Sequence, residues 1–212
     1  MPGPSDRSAP DLARRVARLE AREEIRDLVA RYALALDMRD LDALCGLFPE
    51  DVRVGRGQSG RAALKAWFDA TLRNQFTGTA HVTGNHLIEL VGEDRARGVV
   101  YSRNEHETGE RWIFMTMIYV DDYERIGARW YFRRRLPLYW YAADLREPPI
   151  GAHKMRWPGA PPYEGGYHAH WSSWREFWER APDDLGPVPE PAPLGEFLAR
   201  MKTEPPSRLR VR

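Results

Sequence analysis

The sequence is poor in cysteine and has almost no net charge. Its 212 residues include one cysteine, Cys45, so no disulfide can form within the chain. This fits a reducing compartment, and we expect a cytoplasmic protein. Lys and Arg number 32 against 31 Asp and Glu. A near-neutral balance gives no electrostatic reason to expect nucleic acid or an anionic membrane as a partner.

Long apolar runs and cofactor motifs are also missing. No stretch approaches the roughly 18 consecutive apolar residues of a membrane-spanning helix, and residues 1–10 do not resemble a signal peptide. The chain has no Walker motif, no Rossmann glycine pattern and no nucleophile elbow. His168 and His170 form a pair without a carboxylate at a defined spacing. We therefore expect no metal and no organic cofactor.

The first third of the chain has helical periodicity. Between Leu12 and Leu36, apolar residues recur every three or four positions with Arg and Glu between them. Asp40 is predicted to cap a second, short helix. Ser59 or Gly60 is predicted to cap a third.

From residue 79 onward the period changes to two. The predicted strands are Thr79–Val91, Arg95–Thr108, Arg111–Glu124 and Arg129–Tyr139, joined by short polar or glycine-containing turns. Helices followed by an antiparallel meander indicate an α+β fold. We assign residues 12–145 to this domain. Residues 146–212 are predicted to be a mostly irregular, aromatic- and proline-rich extension with a short helix near 173–180.

The third predicted strand is apolar on both faces. Such a strand is covered on both sides in a folded protein. We expect helices on one side, and a partner subunit or the C-terminal extension on the other. The strand therefore favours a homodimer or homotrimer over a monomer.

Two side chains are the main candidates for proton transfer. Asp37 lies where the first helix ends, and the negative end of the helix dipole disfavours a carboxylate there. A functional reason is one explanation, and a solvated loop aspartate is the other. His81 alternates with Thr83 and Asn85 along one strand face. Histidine is well suited to moving a proton near neutral pH, although a surface histidine would show the same pattern.

Three further positions are weaker candidates. His106 shares a strand face with Asn104, and the sequence leaves open whether that face points inward. Tyr32 precedes Asp37 by five residues, so the two converge only if Asp37 lies just past the helix end; core packing is the alternative. Within a run of three arginines, Arg134 is predicted to point opposite to its neighbours. It would lie on a solvated face or bind a ligand oxygen.

The order of these segments resembles a known family. The segments are Glu23–Asp37, Asp40–Leu44, His81–Asn85 and Arg129–Arg135. Together they resemble the SnoaL-like branch of the NTF2-like superfamily over about residues 12–140. That branch includes scytalone dehydratase, hexachlorocyclohexane dehydrochlorinase, bile acid 7α-dehydratase and polyketide cyclases.

The resemblance implies a cone-shaped α+β barrel with a pocket at its wide end, and a His–Asp dyad in the eliminating members. Asp37 and His81 match the dyad, and Tyr32 matches the tyrosine of the dehydratases. His106 is placed at the second histidine of scytalone dehydratase, with the register open by two residues. Arg134 is placed at the arginine near the end of the sheet.

These matches predict a cofactor-independent lyase or isomerase. His81 would abstract a proton from a small hydrophobic substrate of aromatic, polycyclic or steroid-like character, and Asp37 would orient the imidazole. A non-catalytic binding or assembly module of the same fold is one alternative, and a ring-closing enzyme like the polyketide cyclases is another. The residues predicted to bind substrate are Trp67, Phe68, Asn85, Asn104, Trp112 and Phe114.

Overall fold

The computed structural model describes residues 9–55 and 57–179. The helices are α1 (Ala9–Asp37), α2 (Leu41–Gly46), α3 (Arg61–Gln75) and α4 (Ser172–Glu179), and the strands are β1 (Arg53–Gly55), β2 (Gln58–Ser59), β3 (Gly78–Leu90), β4 (Arg95–Thr108), β5 (Arg111–Ile126) and β6 (Arg129–Asp144). The predicted α+β order is confirmed. Within these described ranges, none of the helices combines the length and apolar character that a bilayer crossing requires.

The described residues divide into two compact units at His170 and Trp171. The second unit holds α4, which lies where a helix was predicted near 173–180. The remainder of the predicted extension, from residue 180 onward, lies outside the described residues.

Strands β3 to β6 form one antiparallel sheet in sequence order. The hairpin turns after β4 and β5 use Gly109 and Gly127, both with φ near 62°. Glycine adopts this left-handed conformation without steric cost, which suits two-residue hairpins. The turns fall where the sequence predicted them.

A β-bulge interrupts β3. Thr83 pairs with Ser102, but the register shifts by one residue before His86 pairs with Val100. An extra residue reverses the inward and outward phase of the strand beyond it. His86 is therefore half-buried on the side of His81, and Asn85 is exposed. The prediction that Asn85 shares the face of His81 does not match the structure, because strict alternation does not continue through a bulge.

A second bulge changes the phase of β6. Phe132 pairs with Tyr123 and Arg134 with Asp122, which leaves Arg133 as the extra residue. Phe132 is fully buried, so alternation without a bulge would turn Arg134 inward. Instead the side chain of Arg134 is 62% exposed, and that of Arg135 is 4% exposed.

The inner face of the sheet and the helices form the core. The core surrounds Phe132, whose ring centroid lies 5.6 Å from that of Tyr32 in α1 and 5.4 Å from that of Phe48 after α2. The backbone N–H of Phe132 also donates to the carbonyl of Leu47 at 3.0 Å. Burial of large aromatic rings supplies much of the hydrophobic stabilisation in a domain of this size.

On β5, the structure assigns Trp112 and Phe114 to the outer face. The indole of Trp112 is 43% exposed and donates to Glu105 at 3.2 Å. Phe114 lies under the guanidinium of Arg103, at 5.2 Å from the ring centroid. Met115 and Met117 point inward instead.

Residues 146–166 fold back along the free edge of β6. Met155 is fully buried and bridges Ala142 of β6 and Tyr163 of the extension. The indole of Trp157 packs against Phe76, with ring centroids 5.9 Å apart. This part of the extension thereby becomes a wall of the same unit.

Gly165 allows the extension to pass close to β6. A Cβ at Gly165 would overlap the backbone carbonyl of Trp140 and lie 2.9 Å from the side chain of Met155. Because a strand carbonyl cannot move aside, we expect Gly165→Ala to lower the free energy of unfolding by about 1–3 kcal/mol. Gly166→Ala is a matched control, since a Cβ there meets nothing within 4 Å. Urea denaturation of both variants tests this prediction, and equal stability would contradict it.

Candidate active site

The end of α1 directs Asp37 toward β3. Arg39 adopts φ of 60°, a left-handed conformation that costs a residue other than glycine about 1 kcal/mol or more. The N–H of Arg39 donates to the carbonyl of Leu36 at 3.2 Å, and that of Asp40 to the carbonyl of Ala35 at 2.9 Å. This is the hydrogen-bond pattern of a Schellman cap. It ends the helix one residue past Leu36 and frees the Asp37 carboxylate to reach the neighbouring strand.

Asp37 and His81 make two short contacts. The Nδ1 atom of His81 lies 2.7 Å from Oδ1 of Asp37, and the backbone N–H of His81 donates to Oδ2 at 2.7 Å. The hydroxyl of Thr79 donates to Oδ1 at 2.8 Å. The side chain of His81 is 6% exposed, and that of Asp37 is 13% exposed. The carboxylate is thus held by three donors in a site that is largely shielded from water.

The partner of Nδ1 determines the tautomer of His81. An ionised carboxylate only accepts hydrogen bonds, so the proton of a neutral His81 lies on Nδ1. Nε2 is then unprotonated, on the far side of the ring from Asp37. His81 lines a cavity, and a neutral imidazole nitrogen in that position can act as a base.

Arg39 and Thr79 support the carboxylate from behind. The Nη1 atom of Arg39 donates to the hydroxyl oxygen of Thr79 at 2.7 Å and to the carbonyl of Leu36 at 2.9 Å. Because arginine cannot accept a hydrogen bond, the Thr79 proton points to Asp37. Neither residue was among the candidates predicted from the sequence. Arginine has no preference for the left-handed conformation, so its position in the sequence does not indicate this turn.

The pKa of Asp37 lies below its ordinary value of 3.8. Burial raises this pKa, but the hydrogen bonds from the side chain and backbone of His81 lower it by more. A carboxylate that accepts several hydrogen bonds is favoured in its charged form.

This lowered pKa predicts a pH-dependent stability difference between the wild type and Asp37→Asn. The folded pKa is depressed, so the ionised carboxylate stabilises the folded state above the unfolded pKa. That contribution is lost as pH falls through the folded pKa. We expect the difference in unfolding free energy to shrink as pH falls below about 4. Urea denaturation between about pH 5 and pH 3 checks it, and a difference that does not shrink over this range would contradict the assignment.

The cavity beside His81 has a volume of about 760 Å³. Small-molecule sites commonly fall between roughly 300 and 1,000 Å³. Of the six residues predicted to bind substrate, Trp67, Phe68 and Asn104 line this cavity, and Trp112, Phe114 and Asn85 do not. The extension contributes a wall that sequence analysis left open. Other lining residues are Leu36, Leu72, Phe76, Met115, Met117, Tyr119, Tyr139, Trp157 and Tyr163.

His106 and Asn104 reach the cavity from the inward face of β4. The His106 ring is 3% exposed, its centroid lies 5.8 Å from that of His81, and its Nδ1 has no hydrogen-bond partner among the described residues. Burial, together with the neighbouring His81, lowers the pKa of His106 to about 4, so this imidazole is neutral at pH 7. Asn104 is fully buried and accepts a hydrogen bond from Ser102 at 2.5 Å.

Tyr32 lies in the same cavity wall beside a buried arginine. Burial raises the pKa of Tyr32 to about 12, although the nearby Arg135 opposes this shift. The guanidinium carbon of Arg135 lies 4.3 Å from the Tyr32 ring centroid and 4.0 Å from that of Tyr119. Arg134 instead forms an exposed pair with Asp122 at 2.9 Å. The inward arginine is therefore Arg135, and the bulge that reorients it leaves no recognisable signal in the sequence.

The described part of the chain shows no group of three or more His, Cys, Asp and Glu side chains placed to hold a metal ion. The cavity's polar groups include those of His81, His106, Asn104 and Tyr32, and Asp37 contacts His81 from outside the lining. Their chemistry is that of proton transfer and hydrogen bonding.

Residues 17–136 match the family model of the SnoaL-like domain. The uncharacterized protein Rv2910c of Mycobacterium tuberculosis is 30% identical over 128 residues, which cover 57% of this chain and 86% of that protein.

Solved structures show the same fold. LinA is 25% identical with a TM-score of 0.57, over 69% of this chain and 98% of LinA. The hexachlorocyclohexane dehydrochlorinase LinA-type3 from Novosphingobium barchaimii LL02 is 22% identical with a TM-score of 0.56, over 69% and 99% of the two chains. A candidate scytalone dehydratase from Novosphingobium aromaticivorans DSM 12444 is 22% identical with a TM-score of 0.54, over 68% and 97%.

Proposed function

This chain belongs to the SnoaL-like domain family, and from that premise we propose that it is a lyase or isomerase in which His81 removes a carbon-bound proton. One observation carries the proposal: Asp37 contacts both Nδ1 and the backbone N–H of His81 at 2.7 Å, at the wall of a cavity of about 760 Å³. A contact of this kind between largely buried side chains at a cavity wall favours catalysis over a purely assembling module. The structural neighbours named as a dehydrochlorinase and a dehydratase support elimination as the reaction type.

The proposed step begins at Nε2 of His81. Nε2 takes a proton from a carbon next to a carbonyl or next to the carbon that bears the leaving group. The electron pair of the broken C–H bond forms a C=C bond, and the leaving group departs with its own bonding pair. Asp37 stabilises the imidazolium that forms and keeps the ring in place. In an isomerisation the same imidazolium returns the proton to another carbon.

Two neutral groups are placed to assist the departing or developing oxygen. Tyr32 has a pKa of about 12 and His106 a pKa of about 4, so at pH 7 both are uncharged and can donate a hydrogen bond. Donors of this kind stabilise negative charge as it develops in the transition state. A departing hydroxide takes the proton that the His81 imidazolium carries and leaves as water, which restores the neutral base.

The cavity walls indicate the substrate class. Aromatic rings and thioethers form much of the wall, including those of Trp67, Phe68, Met115 and Trp157. Such walls favour a hydrophobic ring system, held by dispersion and apolar burial. We propose a small cyclic substrate of aromatic, polycyclic or steroid-like character.

The oligomeric state and location follow as proposals. The outer face of β3 exposes Val82 and Leu87, at 61% and 71%, and exposed apolar residues on a sheet face favour association. We propose a homodimer or homotrimer in the cytoplasm. Light scattering after size-exclusion chromatography would contradict this with a monomeric mass at micromolar concentration.

Solvent exchange tests the proposed chemistry on a panel of candidate ring compounds. The full chain is incubated in D₂O with cyclic β-hydroxyketones and with hexachlorocyclohexane. For at least one ring substrate, we expect deuterium at the α-carbon, or loss of water or chloride. NMR detects the deuterium and the loss of water, and a chloride assay detects the loss of chloride. Ligands that bind without exchange or elimination would instead support the binding-module alternative.

A further inference from the structure

A second compartment lies beside the dyad cavity. Its volume is about 680 Å³, and residues of β1, α3, β5 and β6 bound it. Trp67 is 50% exposed and Arg134 is 62% exposed on its walls, so the compartment reaches solvent. The residues that line both spaces are Tyr32, Trp67, Phe68, Tyr119 and Pro137.

The wall of this compartment is rich in positive charge. Among the described residues, its lining carries one carboxylate, Asp122, against four guanidinium groups. Asp51 and Glu124 pair with Arg133, and Asp121 pairs with Arg135, from outside the lining, whereas Asp122 pairs with Arg134 within it. The side presented to the compartment therefore carries more guanidinium groups than carboxylates. The four arginines are Arg53, Arg133, Arg134 and Arg135.

Arg135 has a donor that the fold leaves unused. Its Nε and Nη2 atoms donate to Asp121 at 3.0 and 2.8 Å. Its Nη1 atom is buried and has no hydrogen-bond partner among residues 9–55 and 57–179, and the side chain is 4% exposed. Buried donors are nearly always satisfied, and a charged one is costly to leave unpaired. A ligand oxygen that reached this donor would supply the missing acceptor.

The remaining walls are apolar. Phe48, Val52 and Leu64 also line the compartment. A site that combines guanidinium groups with apolar side chains suits an amphipathic ligand, because each part of the ligand loses little on leaving water.

We infer that the substrate carries a carboxylate, which binds in the arginine compartment while its ring system occupies the dyad cavity. The inference rests on the proposed function, because that proposal identifies which end of the substrate reacts. Planar guanidinium groups match a carboxylate in geometry and charge, and Tyr32 and Trp67 stand where the two parts of the substrate join.

A shape-matched pair of ligands tests the inference on the full chain. The probes are 4-(2-naphthyl)butanoate and its primary amide, titrated by calorimetry and by quenching of tryptophan fluorescence. We expect the carboxylate to bind at least about tenfold more tightly at low salt, with an advantage that falls as salt rises. Equal affinities would overturn the inference.

Two variants separate the compartment from general surface charge. The double variant Arg53→Gln/Arg134→Gln removes two guanidinium groups from the compartment wall and leaves the buried Arg135–Asp121 pair intact. We expect it to reduce the preference for the carboxylate to about threefold or less. Arg73→Gln, at an exposed arginine of α3 that pairs with Asp69, is the control and should keep the full preference. Equal loss in both variants, with unchanged circular dichroism, would overturn the inference.

His81→Ala distinguishes failure of this inference from failure of the proposed chemistry. The carboxylate preference should persist in this variant, because His81 does not line the arginine compartment. A protein that prefers the carboxylate but shows no proton exchange would refute the dyad and keep the compartment. A protein that exchanges protons but shows no carboxylate preference would refute the compartment and keep the dyad.

Discussion

Replacing His81 with alanine is expected to lower kcat by about 10²- to 10⁴-fold on any substrate that the wild type turns over, since a general base contributes on that scale. Within this site, Asp37 holds the imidazole ring of His81, and Nε2 is the unprotonated nitrogen of that ring. The ring centroid of His106 lies 5.8 Å from that of His81. His106 is neutral at pH 7, but it is not held by Asp37. It can therefore not take over the role with the same orientation.

The measurement is steady-state turnover of the substrate found by the exchange assay. His153→Ala serves as the control, because that histidine is exposed on the extension and outside the cavity lining, and it should retain wild-type kcat. Thermal denaturation should show that both variants are folded. A kcat for His81→Ala within threefold of the wild type would remove His81 from the mechanism.

Asp37→Asn is expected to lower kcat by about 10²- to 10⁴-fold while changing KM much less. The carboxylate of Asp37 accepts from Nδ1 of His81, from the backbone N–H of His81 and from the hydroxyl of Thr79. An amide offers one accepting oxygen and one donating nitrogen. The variant therefore loses an acceptor, and either the imidazole adopts the other tautomer or the imidazolium loses its counter-charge.

Asp40→Asn is the matched control for this substitution. Asp40 is the N-cap of α2, where its carboxylate accepts from the N–H of Ala43 at 3.0 Å, and asparagine caps helices about as well as aspartate. We expect this variant to keep both kcat and stability. If Asp37→Asn matched it in kcat, the orienting role of Asp37 would be refuted.

The positions of the strands could be predicted, but the direction of some side chains could not. Period-two patterning and the glycine turns marked all four long strands to within a few residues at most ends. The bulges in β3 and β6 shift the phase by one residue. Gly84, which lies in the first bulge, is a residue type that often marks one, whereas nothing around Phe132 indicates the second. For that reason strict alternation places Asn85 and Arg134 on the inward side, whereas His86 and Arg135 lie there in the structure.

The orientation of β5 was beyond sequence analysis for a different reason. Both faces of this strand carry large apolar side chains, so hydrophobicity does not distinguish Trp112 and Phe114 from Met115 and Met117. The helices decide the matter by covering one face. Similarly, the role of Trp157 depends on Gly165, which lets the extension return across β6, and no local pattern near Trp157 indicates that path.

The amino-acid sequence by itself determined the order of helices and strands, the turns between them, and the residue types suited to proton transfer. These depend on local periodicity and on side-chain chemistry, which neighbouring residues specify. Only the tertiary structure decided which groups meet: Asp37 and His81 are 44 positions apart, and their contact depends on how the left-handed turn at Arg39 sets α1 against β3. The arginine compartment likewise depends on a one-residue bulge, because the free energy that selects it comes from packing across the whole sheet.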